Sequence, residues 1–308
     1  MSAVYYVDGR FVPPAEACIP VDDLALLRGL AVFDFLRTYC AKPYGVLSHL
    51  SRLRASAERI GIALPWSRET LAGIVQSTLD RNDYAESNVR IIVTAGSSTD
   101  FMNPQGKPRL VVMVTPLPVM PSWWYENGAG IVTVRLERQM TGAKRIDYVD
   151  ARMALEAAHS QNAIEAIYTD RNDRVYEGTT SNLFLIRNGV LMTPGHGILP
   201  GITRQTILDV ATTGMPVEVQ DISLAELLQA DEVFISGTNK GIVPVVSVDG
   251  HPVASGKPGK LTRNLSDAFN AWVQQNGEPP SFGGSIHPDL EPPTCQRSAS
   301  QDSNNSSS

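Results

Sequence analysis

The chain has 308 residues, a formal net charge of −6, 43% hydrophobic and 19% charged residues. Those values describe a folded globular chain long enough for two domains of ordinary size, and they exclude a disordered polymer. The acidic balance argues against nucleic acid as the main partner, and no window approaches the roughly 18 apolar residues of a membrane span. The first residues, from Met1 to Arg10, lack a basic stretch followed by an apolar core, so no signal peptide is expected. Cys18, Cys40 and Cys295 provide neither a disulfide framework nor metal-ligand spacing. A cytoplasmic location is expected, with no metal, and Cys18 and Cys40 are expected as small core residues.

In chain order, Asp8 and Gly9 predict a hairpin between strands at 3–7 and 10–12, because both turn residues tolerate positive φ. The apolar stretch 24–39 reads as a short helical turn followed by a strand in which Phe33, Phe35 and Tyr39 alternate. Helical spacing of Leu47, Leu50, Leu53, Ala57 and Ile60 predicts a helix over 47–60 with Ser48 as its cap, and a second helix follows at 69–82. Strands are expected at 88–95 and 109–116. The proline-rich stretch 116–124 marks a boundary, giving domains at 1–118 and 125–275 joined by a linker at 119–124.

In the second domain a strand is expected at 130–135. Lys144 is expected to open a helix that continues over about 148–161 and carries Val149, Met153, Leu155 and Ala158. Strands follow at 166–169, 175–177, 182–186 and 190–193, the last pair turning at Asn188 and Gly189. Helices at 203–212, 224–229 and 260–273 alternate with strands at 217–220, 232–236, 244–248 and 252–253. Residues 276–308, rich in Gly, Pro, Ser and Asn, offer too little apolar surface to offset the entropy of ordering and are expected to be disordered.

Three residue groups carry chemistry. Lys144, with Tyr148 four residues on, supplies an amine whose pKa desolvation or a neighbouring cation can depress. Glu177 ends a strand, where its carboxylate can be held inward. Gly201 permits close backbone approach, and the N–H groups of Ile202 and Thr203 at a helix start point at an anion. Ser236, Gly237 and Thr238 add hydroxyls and a second nest of amides, and Arg52 adds a charge. An amine, a carboxylate and an anion site are what an enzyme needs to hold pyridoxal 5'-phosphate.

Three ordered runs make the reading sharper: Tyr176-Glu177-Gly178-Thr179-Thr180-Ser181-Asn182, Leu199-Pro200-Gly201-Ile202-Thr203-Arg204 and Phe234-Ile235-Ser236-Gly237-Thr238. With them, the chain from about residue 5 to 272 resembles the fold-type IV pyridoxal-phosphate enzymes. These are the branched-chain aminotransferases, D-amino-acid aminotransferases and aminodeoxychorismate lyases. The resemblance implies an α/β (α+β) fold with a smaller N-terminal domain and a larger C-terminal pseudo-barrel, working as a homodimer. It implies that Lys144 joins the cofactor's aldehyde, Glu177 pairs with its ring nitrogen and Tyr148 contacts its phenolic oxygen. Arg52, Ile202, Thr203 and Thr238 would hold the phosphate. The activity implied is ping-pong exchange of an amino group between an amino acid and a 2-oxo acid. The alternatives are a pyruvate-releasing lyase and a non-catalytic binding protein on the same fold.

For the substrate, Phe33 and Arg37 match the branched-chain pattern, but Arg28 stands where a tyrosine is usual and Phe35 where a glycine is usual. The Arg-x-His pair of well-known D-amino-acid enzymes is missing from residues 95–101, while Arg28 of the partner subunit, Arg90 and Lys240 (beside Asn239) offer another clamp for a carboxylate. D-amino acids and branched-chain L-amino acids both remain open as donors.

Overall fold

The computed structural model describes residues 3–211 and 213–276. The expected disordered tail therefore lies, beyond Asn276, outside the described residues. Strands β1 (Tyr5–Val7) and β2 (Arg10–Val12) form the expected hairpin, with Asp8 and Gly9 both at positive φ. Helix α1 (Leu24–Arg28) is capped by the Asp23 carboxylate, which accepts the Ala25 N–H, and Gly29 ends it in the left-handed region. Next come β3 (Ala31–Tyr39) and β4 (Lys42–Pro43), joined by Cys40 and Ala41 at φ 51° and 61°. Two successive left-handed residues suit a tight hairpin. This turn holds Cys40 at the surface, and Cys18 is exposed as well, so neither fills the core as expected.

Helices α2 (Val46–Arg59) and α3 (Arg68–Leu79) then pack on a sheet completed by β5 (Ser87–Thr94) and β6 (Arg109–Pro116). Strand order is β2-β1-β6-β5-β3-β4. Leu50, Leu53, Ile74 and Ile91 lie at the centre of the core between helices and sheet. The cap expected at Ser48 is instead Gly45, at φ 63° and without a side-chain bond, where a Cβ would approach Ile202 to 3.3 Å.

A short helix α4 (Trp123–Glu126) leads into a second sheet. Its elements are β7 (Ala129–Arg135), α5 (Val149–Ser160), β8 (Glu165–Thr169), β9 (Arg174–Gly178), β10 (Asn182–Arg187) and β11 (Val190–Thr193). Helix α6 (Ile202–Ala211), β12 (Val217–Val219), β13 (Ile222–Ser223) and α7 (Leu224–Leu228) follow. The chain continues through β14 (Glu232–Gly237), β15 (Gly241–Val248), β16 (His251–Pro252) and α8 (Lys260–Gln275). Strands β10-β14-β15-β7-β8-β9 run in order, and β9 returns to β10 through the pair Glu177 and Asn182, closing a barrel-like ring. The seam that closes it therefore contains the candidate carboxylate.

The period-two alternation of β10 and β14 divides two cores. Leu183, Leu185, Val233 and Ile235 face one side, with Val243. Phe184, Ile186 and Phe234 face the other, against Ile207 of α6 and Leu265 and Phe269 of α8. On α5, in contrast, only Ala154 and Ala158 are buried, while Val149 and Met153 are each 66% exposed. The apolar face expected for that helix is thus turned outward in part.

Phe184 and Phe234 stack at 4.7 Å between ring centroids, both fully buried. Phe184→Ala should lower unfolding free energy by about 3–5 kcal/mol, from lost burial and the cavity left behind. Urea denaturation followed by circular dichroism checks this, and a loss below about 1 kcal/mol would refute the pair's role in joining sheet and helices.

Candidate active site

Lys144 does not open a helix. Its segment is extended and lies along β3: the Phe33 N–H donates to the Lys144 carbonyl at 2.9 Å and the Ile146 N–H donates to the Ala31 carbonyl at 3.2 Å. Val32 and Arg145 pair as an isolated bridge. The Lys144 N–H donates in turn to Ser56 Oγ on α2 at 3.1 Å. These bonds satisfy the backbone groups of the segment, and α5 starts only at Val149.

The consequence is a fixed, nearly dry amine. Lys144 Nζ stands 4.6 Å from the Phe33 ring centroid and 5.2 Å from that of Phe35. Tyr148 reaches the same place without a helical turn between them, its ring edge-on to Phe33 at 5.6 Å. Burial, reinforced by the Arg52 charge and opposed by Asp34 and Glu177, lowers the Lys144 pKa to about 8. Burial likewise raises the Tyr148 hydroxyl.

Glu177 sits at the end of β9, also buried. The Leu199 N–H donates to its Oε2 at 2.9 Å, Asn182 Nδ2 donates to the same oxygen at 3.4 Å, and Arg138 pairs with Oε1. Burial nevertheless prevails and raises its pKa, with Arg138 the main opposing charge. Asn182 also donates to the Leu199 carbonyl at 3.0 Å, so β10 ties the carboxylate to the turn before α6.

That turn leads into the start of a helix. A Cβ on Gly201 would stand 2.0 Å from Asn182 Oδ1, so only glycine lets the chain pass there. Beyond it α6 begins at Ile202, its first amides free of partners within the helix. Across the gap Ser236 Oγ is buried without a hydrogen-bond partner. Arg52 donates to the Pro200 carbonyl at 3.1 Å and is 8% exposed. One cavity is lined by Lys144, Tyr148, Glu177, Arg52, Phe35, Ile202, Thr203, Ser236 and Thr238.

The other expected substrate residues lie apart from that lining. Arg28 is exposed at the end of α1 and donates to the Leu27 carbonyl at 2.8 Å. Arg90 lies 5.0 Å over Phe33, and Arg37 lies 4.2 Å over Tyr39 and shares an open cleft with Asn239. Lys240, expected as part of a carboxylate clamp, has its ammonium engaged within the chain. It donates to buried Glu165 at 2.8 Å and to Thr180 Oγ1 at 2.7 Å. Glu165 also accepts from Thr179, Thr180 and Ser181, and these partners outweigh burial to hold its pKa down.

Sequence reasoning missed Arg138, Asp34, His49, Ser56, Asn182 as a tie, and Glu165. Two of them left a signal. Asp34 stands alone among Val32, Phe33, Phe35 and Leu36, and Glu165 precedes an apolar strand. A carboxylate in such a setting must be paired or neutralised. Arg138 lies in a connection between β7 and Lys144 where nothing local marks it.

A family model described as "Amino-transferase class IV" matches residues 31–248. A D-alanine aminotransferase of Listeria innocua is 34% identical over 271 residues, covering 85% of this chain and 93% of the relative. A putative branched-chain-amino-acid aminotransferase of Methanocaldococcus jannaschii is 32% identical over 274 residues, covering 86% and 94%. The T.th. branched-chain amino acid aminotransferase, complexed with N-(5'-phosphopyridoxyl)-L-glutamate, superposes with a TM-score of 0.83. It has 27% identity and covers 89% of this chain and 95% of that one. A buried amine, a buried carboxylate and an anion cradle in one cavity, on this fold and with these relatives, place the chain in the class IV aminotransferases.

Proposed function

We propose that the protein holds pyridoxal 5'-phosphate in this cavity and exchanges an amino group between an amino acid and a 2-oxo acid by ping-pong turnover. The observation that carries this reading is Lys144: a buried amine with its pKa lowered to about 8, in one cavity with Glu177 and the start of α6. The residues fit the group on independent grounds. Ser236 Oγ is an orphaned polar atom lining the same cavity as the start of α6.

When bound, pyridoxal 5'-phosphate supplies an aldehyde for the donor's amine and a ring that withdraws electrons from the donor's α-carbon. Arg52, the Ile202 and Thr203 amides, Thr238 and Ser236 hold the phosphate end. Glu177, buried with its carboxylate facing the cavity, meets the ring nitrogen, and the Leu199 N–H keeps it aimed. Tyr148 presents its hydroxyl to the ring's phenolic oxygen. Lys144 Nζ, shielded by Phe33 and Phe35 and with a pKa lowered to about 8 so that a part of it is the free amine, takes the proton from the donor's α-carbon and later returns one. The donor leaves as a 2-oxo acid before the acceptor enters.

D-amino acids or branched-chain L-amino acids are the donors we propose, in line with both named relatives. Phe33 and Phe35 supply an apolar wall beside Lys144, and Arg90 over Phe33 a nearby cation for the donor carboxylate. The homodimer we propose would bring Arg28, with exposed Leu26 beside it, to the partner's site. The boundary placed at 119–124 finds support in the change of sheet between β6 and β7.

Lys144→Ala should abolish transamination and the visible absorbance of protein-bound cofactor, and an active variant would sink the assignment. In cofactor-free protein, labelling of Lys144 by an amine-reactive reagent should rise with a midpoint near pH 8, because a depressed pKa leaves the amine neutral above that value. Peptide mass spectrometry reads the site, and a midpoint at an ordinary lysine value would contradict the role given to burial. Mixing the holoenzyme with single D- or L-amino acids should bleach the cofactor absorbance with D-amino acids or with L-leucine, L-isoleucine and L-valine. Failure with every one of these would overturn the donor class.

A further inference from the structure

Asp34 is fully buried and does not itself line the cavity, though its partner Arg52 does. It lies on β3 between Phe33 and Phe35, so the alternation of the strand points it away from Lys144 and towards α2. There it meets Arg52 in a two-pronged contact: Nε donates to Oδ2 at 2.8 Å and Nη2 donates to Oδ1 at 2.7 Å. His49 Nδ1 lies 2.9 Å from Oδ1, and the Phe35 N–H donates to the same oxygen at 2.7 Å. With Asp34 ionised, His49 donates its Nδ1 proton. Burial would raise the Asp34 pKa, but Arg52 and His49 together hold it well below the usual carboxylate range.

Counting donors shows what this does to Arg52. A guanidinium has five N–H groups in one plane. Two go to Asp34 and one, from Nη1, goes to the Pro200 carbonyl. Two remain, one on each terminal nitrogen; Nη2 also lies 3.4 Å from His49 Nδ1, which cannot accept while it donates to Asp34, and Arg52 lines the cavity with Ile202 and Thr203. Three fixed bonds leave the plane no freedom to turn. Because Pro200 precedes Gly201 and the start of α6, the same bonds hold the arginine and the helix amides in one frame.

We propose that Asp34, backed by His49, is a positioning residue that sets the Arg52 guanidinium for the cofactor's phosphate. The inference rests on the reading that Arg52 holds that phosphate. It is not obvious on charge alone. Asp34 adds a negative charge behind the arginine, which weakens the long-range pull on an anion. The gain is orientation: a planar fork binds an oxyanion well only when its plane is fixed, and fixing it beforehand removes that cost from binding. A carboxylate that served only to neutralise a buried arginine would affect folding without discriminating among ligands.

The test compares two ligands that differ only in the phosphate. Full-length holoenzyme is dialysed against decreasing pyridoxal 5'-phosphate, or reconstituted with phosphate-free pyridoxal, and bound ligand is read from absorbance. Asp34→Asn should raise the apparent Kd for pyridoxal 5'-phosphate about ten-fold, roughly the worth of one well-formed charged hydrogen bond, and leave that for pyridoxal within about two-fold. Asp34→Glu keeps the charge and should fall between wild type and Asp34→Asn. Should Asp34→Asn not fold, Asp34→Glu answers by the same criterion: a loss for the phosphorylated ligand alone supports the proposal.

Equal losses for both ligands, unchanged affinity, or tighter binding of pyridoxal 5'-phosphate would each overturn it. Arg52→Gln separates the premise from the inference. If that variant binds both ligands as wild type does, the phosphate reading of Arg52 fails. If it loses pyridoxal 5'-phosphate selectively while Asp34→Asn does not, Arg52 holds phosphate and Asp34 does not position it.

Discussion

The active site depends on a pair of backbone hydrogen bonds that lay the Lys144 segment along β3, between Phe33 and Lys144 and between Ile146 and Ala31. They give the lysine a strand's backbone, so its side chain is directed by the pleat of β3 rather than by its own local preference. Everything on β3 is then sorted into two faces. Phe33 and Phe35 come up under the amine, and Asp34 goes the other way to Arg52 and α2. A slip of one residue in that register would exchange the faces, burying the aromatic rings against α2 and leaving a carboxylate beside the lysine. Ser56, which accepts the Lys144 N–H, fixes the register from the helix side.

Around this joint the protein buries charge on a scale that core packing alone would never favour. Lys144, Asp34, Arg52, Glu177, Glu165 and Arg204 are all nearly removed from solvent. Each such group costs several kcal/mol of solvation unless it is paired and hydrogen-bonded. The arrangement answers that in two different ways. Asp34 with Arg52, and Glu165 with Lys240, are closed pairs whose charges cancel inside the chain. Lys144 and Glu177 are not closed on each other, and burial drives both towards their neutral forms. Glu177 keeps Arg138 as an ion-pair partner, whereas Lys144, with its pKa lowered to about 8, is able to exchange a proton near neutral pH.

Much of the fold was legible in the sequence, because barrel strands such as β8, β10 and β14 are short apolar runs and the turns at Asp8-Gly9 and Asn188-Gly189 declare themselves. Of the site, Lys144, Tyr148, Glu177, Arg52, Ile202, Thr203 and Thr238 come together as the motifs implied. What failed was local reasoning about a segment whose structure is set from outside. Lys144 looked helical because Tyr148 follows at i+4, but its segment is held by Ala31, Val32 and Phe33, far back along the chain. Lys240 looked like a free cation for the same reason: its partner Glu165 lies 75 residues away. Asp34, Glu165 and Arg138 carry no motif, since each is defined by what it pairs with across the fold.

The two faces of β3 also separate two tasks that a transaminase must keep apart. In the proposed function, holding the cofactor's phosphate would fall to Arg52 and the α6 amides, and Asp34 and Pro200 bond that arginine behind the strand. Choosing a donor would fall, in the same proposal, to Phe33 and Phe35, whose rings stand beside Lys144 in front. Because side chains on opposite faces of a strand do not touch, a residue such as Phe35 can differ from relatives while Asp34 keeps its partners. The backbone couples them only through the Phe35 N–H, which donates to Asp34 and which any residue but proline provides. On the proposed roles, substrate choice would therefore drift on this scaffold without loosening a hold on phosphate, and donor specificity would lie in the front face of β3 and the cations near it.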